Sequence, residues 1–264
     1  MLSYQHIYHA GSFADVHKHA ILSVLLDLMA SKPRGMSYLE THSGRGMYDL
    51  DAPEAHKVGE FKDGIDRVLA EKIFPTSHPY MKALHFMQAK WGPAFYPGSP
   101  ALAKYFLRDD KDKLHLMALH PQEFKHLRYH LDTPNVHIHH RHAYLGVNAL
   151  SPPTPRRGLV LIDPSYENKE EYNNMAPFVE KLLRRWPQAT IAIWYPMLPA
   201  GYHKPMVDAL MSTDIKDKMC LEVFIHPAPE RGLYGSGVII LQTPFGTTQP
   251  LEEVVKTLQT LYPV

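Results

Sequence analysis

The last two strand-like segments of this chain, Met219–Ile225 and Gly237–Thr243, are joined by a short proline- and glycine-rich stretch with no helical period. Two strands connected without a helix fold as antiparallel neighbours. The region before them alternates instead. Strand-like runs fit Leu114–Leu119, Val136–His140, Leu159–Asp163 and Thr190–Trp194, and helical patterns fit Pro121–Leu131, Glu170–Arg185 and Lys204–Met211. Strand–helix–strand order implies right-handed crossovers and parallel pairing. The chain is therefore expected to form a mostly parallel sheet closed by an antiparallel pair, and flavodoxin-like or ordinary dinucleotide folds usually lack that closing pair.

Toward the amino end, Val16, Ala20, Ile21, Val24, Leu25, Leu28 and Met29 share a helical stripe that Pro33 and Gly35 stop. A short strand fits Met36–Thr41, followed by a turn containing Gly44 and Gly46. From Asp51 to Pro97 the pattern is polar and helical, with Val58, Phe61, Ile65, Val68 and Leu69 on one face and no convincing strand. Ser99-Pro100 fits a helix start, with the helix running to about Asp109. The resulting expectation is an α/β chain of the class I methyltransferase (Rossmann-like) type. A mostly parallel seven-stranded sheet would be formed by residues 1–50 and 96–264, with 1–35 as a helical lid and 51–95 as an inserted helical subdomain.

Composition narrows the partners. With 28 Lys plus Arg against 27 Asp plus Glu, a formal charge of +1 excludes a broadly basic coat, so any polyanion is held by a local patch. A single cysteine, Cys220, excludes a disulfide scaffold and a Cys-based zinc cluster, and fits a reducing cytoplasm. No segment reads as a membrane helix or a signal peptide. The chain has 18 histidines. His17 and His19 are spaced i, i+2 and point apart on a helix, which argues against a shared metal. His137 and His139 share a strand face, but no nearby cysteine or carboxylate completes a zinc site among His137, His139, His140 and His142.

The strongest chemical signal is Leu159-Val160-Leu161-Ile162-Asp163-Pro164-Ser165-Tyr166. An apolar strand delivers Asp163 to its carboxyl end, where open α/β sheets bind ligands. Pro164 has no N–H and stiffens the turn. A carboxylate and a carbonyl there suit an exocyclic amine, whose two hydrogens they accept, while an aromatic ring stacks on the base. The plain alternative is an Asp that caps the next helix. Gly44 and Gly46 allow close approach to a nucleotide-like ligand beside His42, although turns use glycine for their own backbone reasons. The strand before them and the Asp163 strand are expected as neighbours at the topological switch point. In the run Tyr4, His6, His9, Gly11, Asp15, His17, Lys18 and His19, the basic groups suit an anionic ligand and Tyr4 suits stacking. Arg156-Arg157, Arg184-Arg185, Lys32 and Arg34 suit a phosphate patch or a solvated face.

The chain resembles the bacterial 23S ribosomal RNA adenine-N6 methyltransferase J family over nearly its whole length. The likeness rests on Met1-Leu2-Ser3-Tyr4 through His9-Ala10-Gly11, on Ala14-Asp15-Val16 with Lys18-His19, on Thr41-His42-Ser43-Gly44, and on Gly59-Glu60-Phe61. It continues through Tyr96-Pro97-Gly98-Ser99-Pro100, Leu119-His120-Pro121, Arg156-Arg157-Gly158, Asp163-Pro164, Glu167 and Trp194-Tyr195-Pro196. The resemblance implies an enzyme using S-adenosyl-L-methionine on 23S ribosomal RNA, protein-free or at an early assembly stage, without metal or membrane. It implies that Lys18, His19, His42, Gly44, Ser99 and Asp163 line the cofactor site, together with the positions held by Ala118, His142 and Ala143. Asp163 and Pro164 would hold the target amine, Tyr166 would stack on the adenine, and Tyr4 would touch the RNA. A monomer is expected.

Three positions depart from the family pattern. Ser165 replaces the second proline after the aspartate, Ala118 replaces a glutamate for the cofactor ribose, and His142-Ala143 replaces an Asp-Gly pair at its adenine. A charge-assisted bond to the ribose is worth about 1.5–3 kcal/mol. Its loss predicts cofactor binding weaker by roughly tenfold or more unless another group substitutes. Alternatives from other classes are a DNA adenine or protein amide methyltransferase, and a non-catalytic RNA-binding protein with a degraded cofactor site.

Overall fold

The computed structural model describes residues 4–225 and 232–262, so Met1, Leu2 and Ser3 of the amino-terminal block lie outside the described residues. After a 3-10 turn at His6–Tyr8, α1 spans Phe13–Ala30 and begins where the Ser12 hydroxyl accepts a hydrogen bond from the Asp15 amide. β1 (Ser37–Glu40) and β2 (Met47–Asp49) follow, then α2 (Pro53–Val58), α3 (Ile65–Glu71), α4 (Pro79–Trp91), β3 (Phe95–Pro97) and α5 (Ser99–Phe106). The alternating half comprises β4 (Lys113–Met117), α6 (Pro121–His130), β5 (Val136–His139), α7 (Ala143–Leu150), β6 (Gly158–Ile162), α8 (Glu170–Arg185), β7 (Ala189–Met197) and α9 (His203–Met211). β8 (Met219–Phe224), β9 (Gly235–Leu241) and α10 (Thr248–Leu261) close the chain.

One seven-stranded sheet has the order β5-β4-β1-β6-β7-β9-β8. The β5-β4-β1-β6-β7 ladders are parallel, and β9 runs antiparallel to both β7 and β8. The closing pair and the β1–β6 neighbourhood both match the sequence expectation. β6 shows why its run is apolar throughout. Leu159 and Leu161 enter the core beneath α1, α5 and α10, whereas Val160 and Ile162 enter the core beneath α8 and α9. A strand covered on both faces cannot alternate with polar residues. Pro196 is tolerated near the end of β7 because β6 pairs only as far as Ile193, so no parallel neighbour needs its missing N–H.

Three local expectations change. β2 and β3 form a separate antiparallel ladder at the two ends of the helical stretch, Met47 opposite Pro97 and Asp49 opposite Phe95. Three-residue strands, one of them ending in Pro97, have too few positions for a period to show. The helix beginning at Ser99 stops at Phe106, short of Asp109. α7 and α10 add to the expected helices; α10 buries Leu251, Val254, Leu258 and Leu261 at helical spacing.

Candidate active site

The carboxyl ends of β1, β4 and β6 lie in register, with Glu40 opposite both Leu116 and Leu161. The loops leaving these strands, with the amino end of α1 and the Tyr4–His9 segment, enclose a cavity of about 510 Å³. Tyr4, Lys18, His19, His42, Gly44, Ser99, Ala118, His142, Ala143, Asp163 and Pro164 all line it. Residues far apart in the chain meet because parallel strands present their carboxyl ends together. Gly44 (φ +58°) is required by its surroundings, since a Cβ there would lie 2.3 Å from the Tyr48 hydroxyl.

Asp163 is joined to the first helix by a chain of polar contacts. Lys18 Nζ donates to Asp163 Oδ2 at 2.6 Å and lies 2.9 Å from Asp15 Oδ1. The other Asp15 oxygen accepts from the Gly11 amide at 3.0 Å and from His6 Nε2 at 2.8 Å. That carboxylate fixes the His6 tautomer, leaving Nδ1 to accept from the Tyr4 hydroxyl at 2.9 Å. Burial works against the Asp15 carboxylate, but the Lys18 ammonium and the hydrogen bond from His6 outweigh it and hold the group well below its ordinary value. Burial likewise opposes the Lys18 ammonium, yet Asp15 and Asp163 together keep its pKa above the usual lysine value. Lys18 also lies 5.5 Å from the Trp194 ring centroid, on the cavity wall.

Two of the cavity histidines, His19 and His42, are neutral. Burial drives His19 down to about 3 and His42 down to about 4, the latter reinforced by His142. His19 Nδ1 lies 2.8 Å from the Tyr96 hydroxyl, while His17 turns to the opposite side and places Nδ1 2.9 Å from Ser236 Oγ. The two rings diverge, as i, i+2 spacing on a helix requires. His42 Nδ1 is 2.9 Å from Thr41 Oγ1, and the Thr41 hydroxyl accepts from the Asp163 amide at 3.4 Å. Glu40, fully buried at the end of β1, accepts from Ser99 Oγ at 2.5 Å and from the Tyr38 hydroxyl at 2.9 Å. Burial pushes it up to about 8 despite those two donors.

Tyr166 does not face the cavity. Its φ is +55°, which turns the ring into the core against Tyr172 (centroids 4.4 Å apart), and its hydroxyl donates to the Trp194 carbonyl at 2.8 Å. At 1% exposure it presents no ring to a base in this conformation, which corrects the stacking position assigned from the motif. Pro164 and Ser165 occupy the wall instead. The arginine pairs also sit elsewhere. Arg156-Arg157 precede β6 and Arg184-Arg185 end α8, so both lie at the amino ends of the parallel strands, opposite the cavity. Arg157 donates to the Met29 carbonyl at 2.7 Å. His115, His137 and His139 stack at the sheet edge, with centroids 4.9 and 5.6 Å from His115. Among the described residues no group of three or more His, Cys, Asp or Glu is arranged to hold a metal ion.

Glu40, Tyr48 and Trp194 are wall or near-wall residues that sequence reasoning does not single out as site residues. The signal for Glu40 is an acid interrupting an apolar strand next to a glycine turn. Nothing local marks Tyr48 or Trp194 as facing a ligand.

The topology and the cavity at the carboxyl ends of its central strands define a class I methyltransferase. The chain belongs to the family described as "Ribosomal RNA large subunit methyltransferase D, RlmJ", whose model matches residues 33–262. It is 36% identical over 270 residues to the ribosomal RNA large subunit methyltransferase J of Haemophilus influenzae, covering 100% of this chain and 95% of that protein. The protein of the same name from Escherichia coli K12 is 32% identical, with 98% and 93% covered. A crystal structure of a Legionella pneumophila protein, 33% identical, superposes with a TM-score of 0.87 over 96% of this chain and 94% of that one.

Proposed function

We propose that this protein transfers a methyl group from S-adenosylmethionine to the N6 amine of an adenosine in 23S ribosomal RNA, acting as a monomer on RNA not yet packed with protein. The observation that carries this is Asp163, a cavity-wall carboxylate at the end of β6 with Oδ2 tied to Lys18 and no hydrogen bond to Oδ1 among the described residues.

The residues present fit the cofactor. Ser43 Oγ, on the cavity wall, is a buried polar atom with no hydrogen-bond partner among the described residues. His19, His42, Ser99, Ala118, His142 and Ala143 would hold it. The neutral imidazoles of His19 and His42 suit a cofactor carrying a sulfonium and an ammonium, because buried imidazolium ions there would repel it. When bound, S-adenosylmethionine supplies an electrophilic methyl group.

Asp163 Oδ1 accepts one hydrogen of the adenine amine and orients the nitrogen lone pair. Lys18 prevents the carboxylate from rotating by occupying Oδ2. The Pro164 segment, with no N–H at that proline, leaves a carbonyl to accept the second amine hydrogen. As the nitrogen gains its new bond it becomes acidic, and Asp163 takes up the released proton before passing it to solvent. Tyr4, at the mouth and 37% exposed, offers a ring to the RNA.

Labelled cofactor is incubated separately with protein-free 23S RNA, DNA and a protein pool. Wild-type protein should label RNA alone, and Asp163→Asn should abolish labelling while retaining the unfolding midpoint. Full activity in Asp163→Asn, or label only in DNA or protein, would overturn the assignment. Calorimetry with S-adenosylmethionine excludes the non-catalytic alternative if binding is detected.

A further inference from the structure

The outer face of α6 and the end of α4 form a second surface, outside the cavity wall described above. α6 starts beside the cavity, where His120 and Glu123 line the rim, and its ten residues run about 15 Å away from it. Leu127 and Glu123 face inward, and Glu123 is held by Arg45 through contacts at 2.6 and 3.1 Å. Lys125, His126, Arg128 and Tyr129 face solvent, and Tyr129 is 76% exposed.

At its far end α6 meets Trp91, the last residue of α4. The Trp91 ring lies 5.3 Å from His130 and 6.4 Å from Tyr129, with Lys90 Nζ 5.4 Å above it. His130 is fixed in turn, its Nδ1 lying 2.9 Å from the Arg45 carbonyl. The charge here is lopsided. α4 contributes Lys82 and Lys90 with no acid, and α6 contributes Lys125 and Arg128 against Glu123 alone, which Arg45 already neutralises. Among the described residues Lys125 and Arg128 take part in no ion pair. In a chain of net charge +1, Lys90, Lys125 and Arg128 beside the exposed Tyr129 and the half-buried Trp91 are a local concentration of cations and aromatic rings.

We propose that this surface is a track for single-stranded RNA flanking the target adenosine, with phosphates on Lys90, Lys125 and Arg128 and bases stacked on Tyr129 and Trp91. This rests on the methyltransferase assignment. Interleaved cations and aromatic rings suit a single strand, whose bases are free to stack, better than a duplex. Tyr129, 76% exposed, stands beside Lys125 and Arg128, which pair with no carboxylate among the described residues, and that combination favours a polyanion carrying stackable bases. The surface also supplies the local patch that the near-neutral composition demands.

The test uses full-length protein and a fluorescent single-stranded oligoribonucleotide containing one adenosine, followed by anisotropy and methyl transfer. Tyr129→Ala should weaken binding about tenfold. Lys125→Glu with Arg128→Glu should lower the steepness of log affinity against log salt by about 1.4, roughly 0.7 for each phosphate that is no longer neutralised. Both variants should raise KM for RNA with kcat, cofactor affinity and unfolding midpoint unchanged. Arg184→Glu with Arg185→Glu, at the opposite end of the sheet, should leave RNA binding as in wild type. Unchanged affinity and salt dependence in the α6 variants would overturn the track, as would an equal loss in the Arg184 and Arg185 control. If wild-type protein binds the RNA through α6 but labels no RNA pool, the catalytic assignment fails and the track stands.

Discussion

Lys18 Nζ donates to Asp163 Oδ2 at 2.6 Å across 145 residues of chain, so the first helix holds the carboxylate at the end of the central strand. Asp15, one turn earlier on the same helix, completes a buried carboxylate–ammonium–carboxylate arrangement. Two ionised carboxylates that share one cation depend on it for both position and stability.

Replacing Lys18 by Met should therefore lower stability by about 3–5 kcal/mol, because both carboxylates lose their shared partner. Methyl transfer assayed well below the variant's unfolding midpoint should fall at least about a hundredfold, with the loss in kcat. Lys18→Arg should recover stability more than activity, since a planar guanidinium cannot reproduce the compact ammonium between two oxygens. Urea unfolding and steady-state kinetics check both; wild-type kcat in Lys18→Met would remove Lys18 from the arrangement.

Glu40 holds its proton more tightly folded than unfolded. Its contribution to stability is complete below the unfolded value of about 4.5 and is lost as pH rises through about 8. Glu40→Gln, which keeps the shape and an acceptor for Ser99, should be more stable than wild type at pH 9, by on the order of a few kcal/mol, and lose that advantage near pH 4. Parallel stability–pH curves for the two proteins would contradict a buried neutral carboxyl.

Ala118 lines the cavity where the resemblance places an acid. Ala118→Glu should tighten S-adenosylmethionine binding about tenfold in calorimetry. Unchanged affinity would mean that another wall residue already serves the ribose.

Tyr166 packs in the core and donates to a backbone carbonyl, so its truncation is expected to act on stability. Tyr166→Ala should destabilise the fold by about 3–5 kcal/mol in urea unfolding. A variant with an unchanged unfolding midpoint but a tenfold loss of RNA affinity would return the ring to the cavity.

The parallel order, the closing antiparallel pair and the position of Asp163 were legible in the sequence because each is a local property. Apolar runs such as Leu159–Ile162 announce strands covered on both faces, and the missing helix before Gly237 announces the change of direction. Pro164, His42 and Gly44 were legible for the same reason, at a strand end and a glycine turn, whereas Ser99, Ala118, His142 and Ala143 were marked only by the family resemblance. β2 and β3 escaped because three residues hold no period, whereas α10 does carry a local stripe in Leu251, Val254, Leu258 and Leu261 that the sequence expectation omitted.

Side-chain partnership was decided only in three dimensions. The motif around Asp163 does not reveal that Lys18 takes one of its oxygens, since that hydrogen bond spans 145 residues. Nor does the motif reveal that a positive φ sends Tyr166 into the core while Pro164 and Ser165 face the cavity. The 18 histidines could not be sorted by composition. His19 and His42 are neutral wall residues because burial removes their solvent, and His115, His137 and His139 are a stacked edge because β4 and β5 pair in register. A residue's type and spacing determine what it can do; the dielectric, the partners and the direction it faces exist only once the strands have come together.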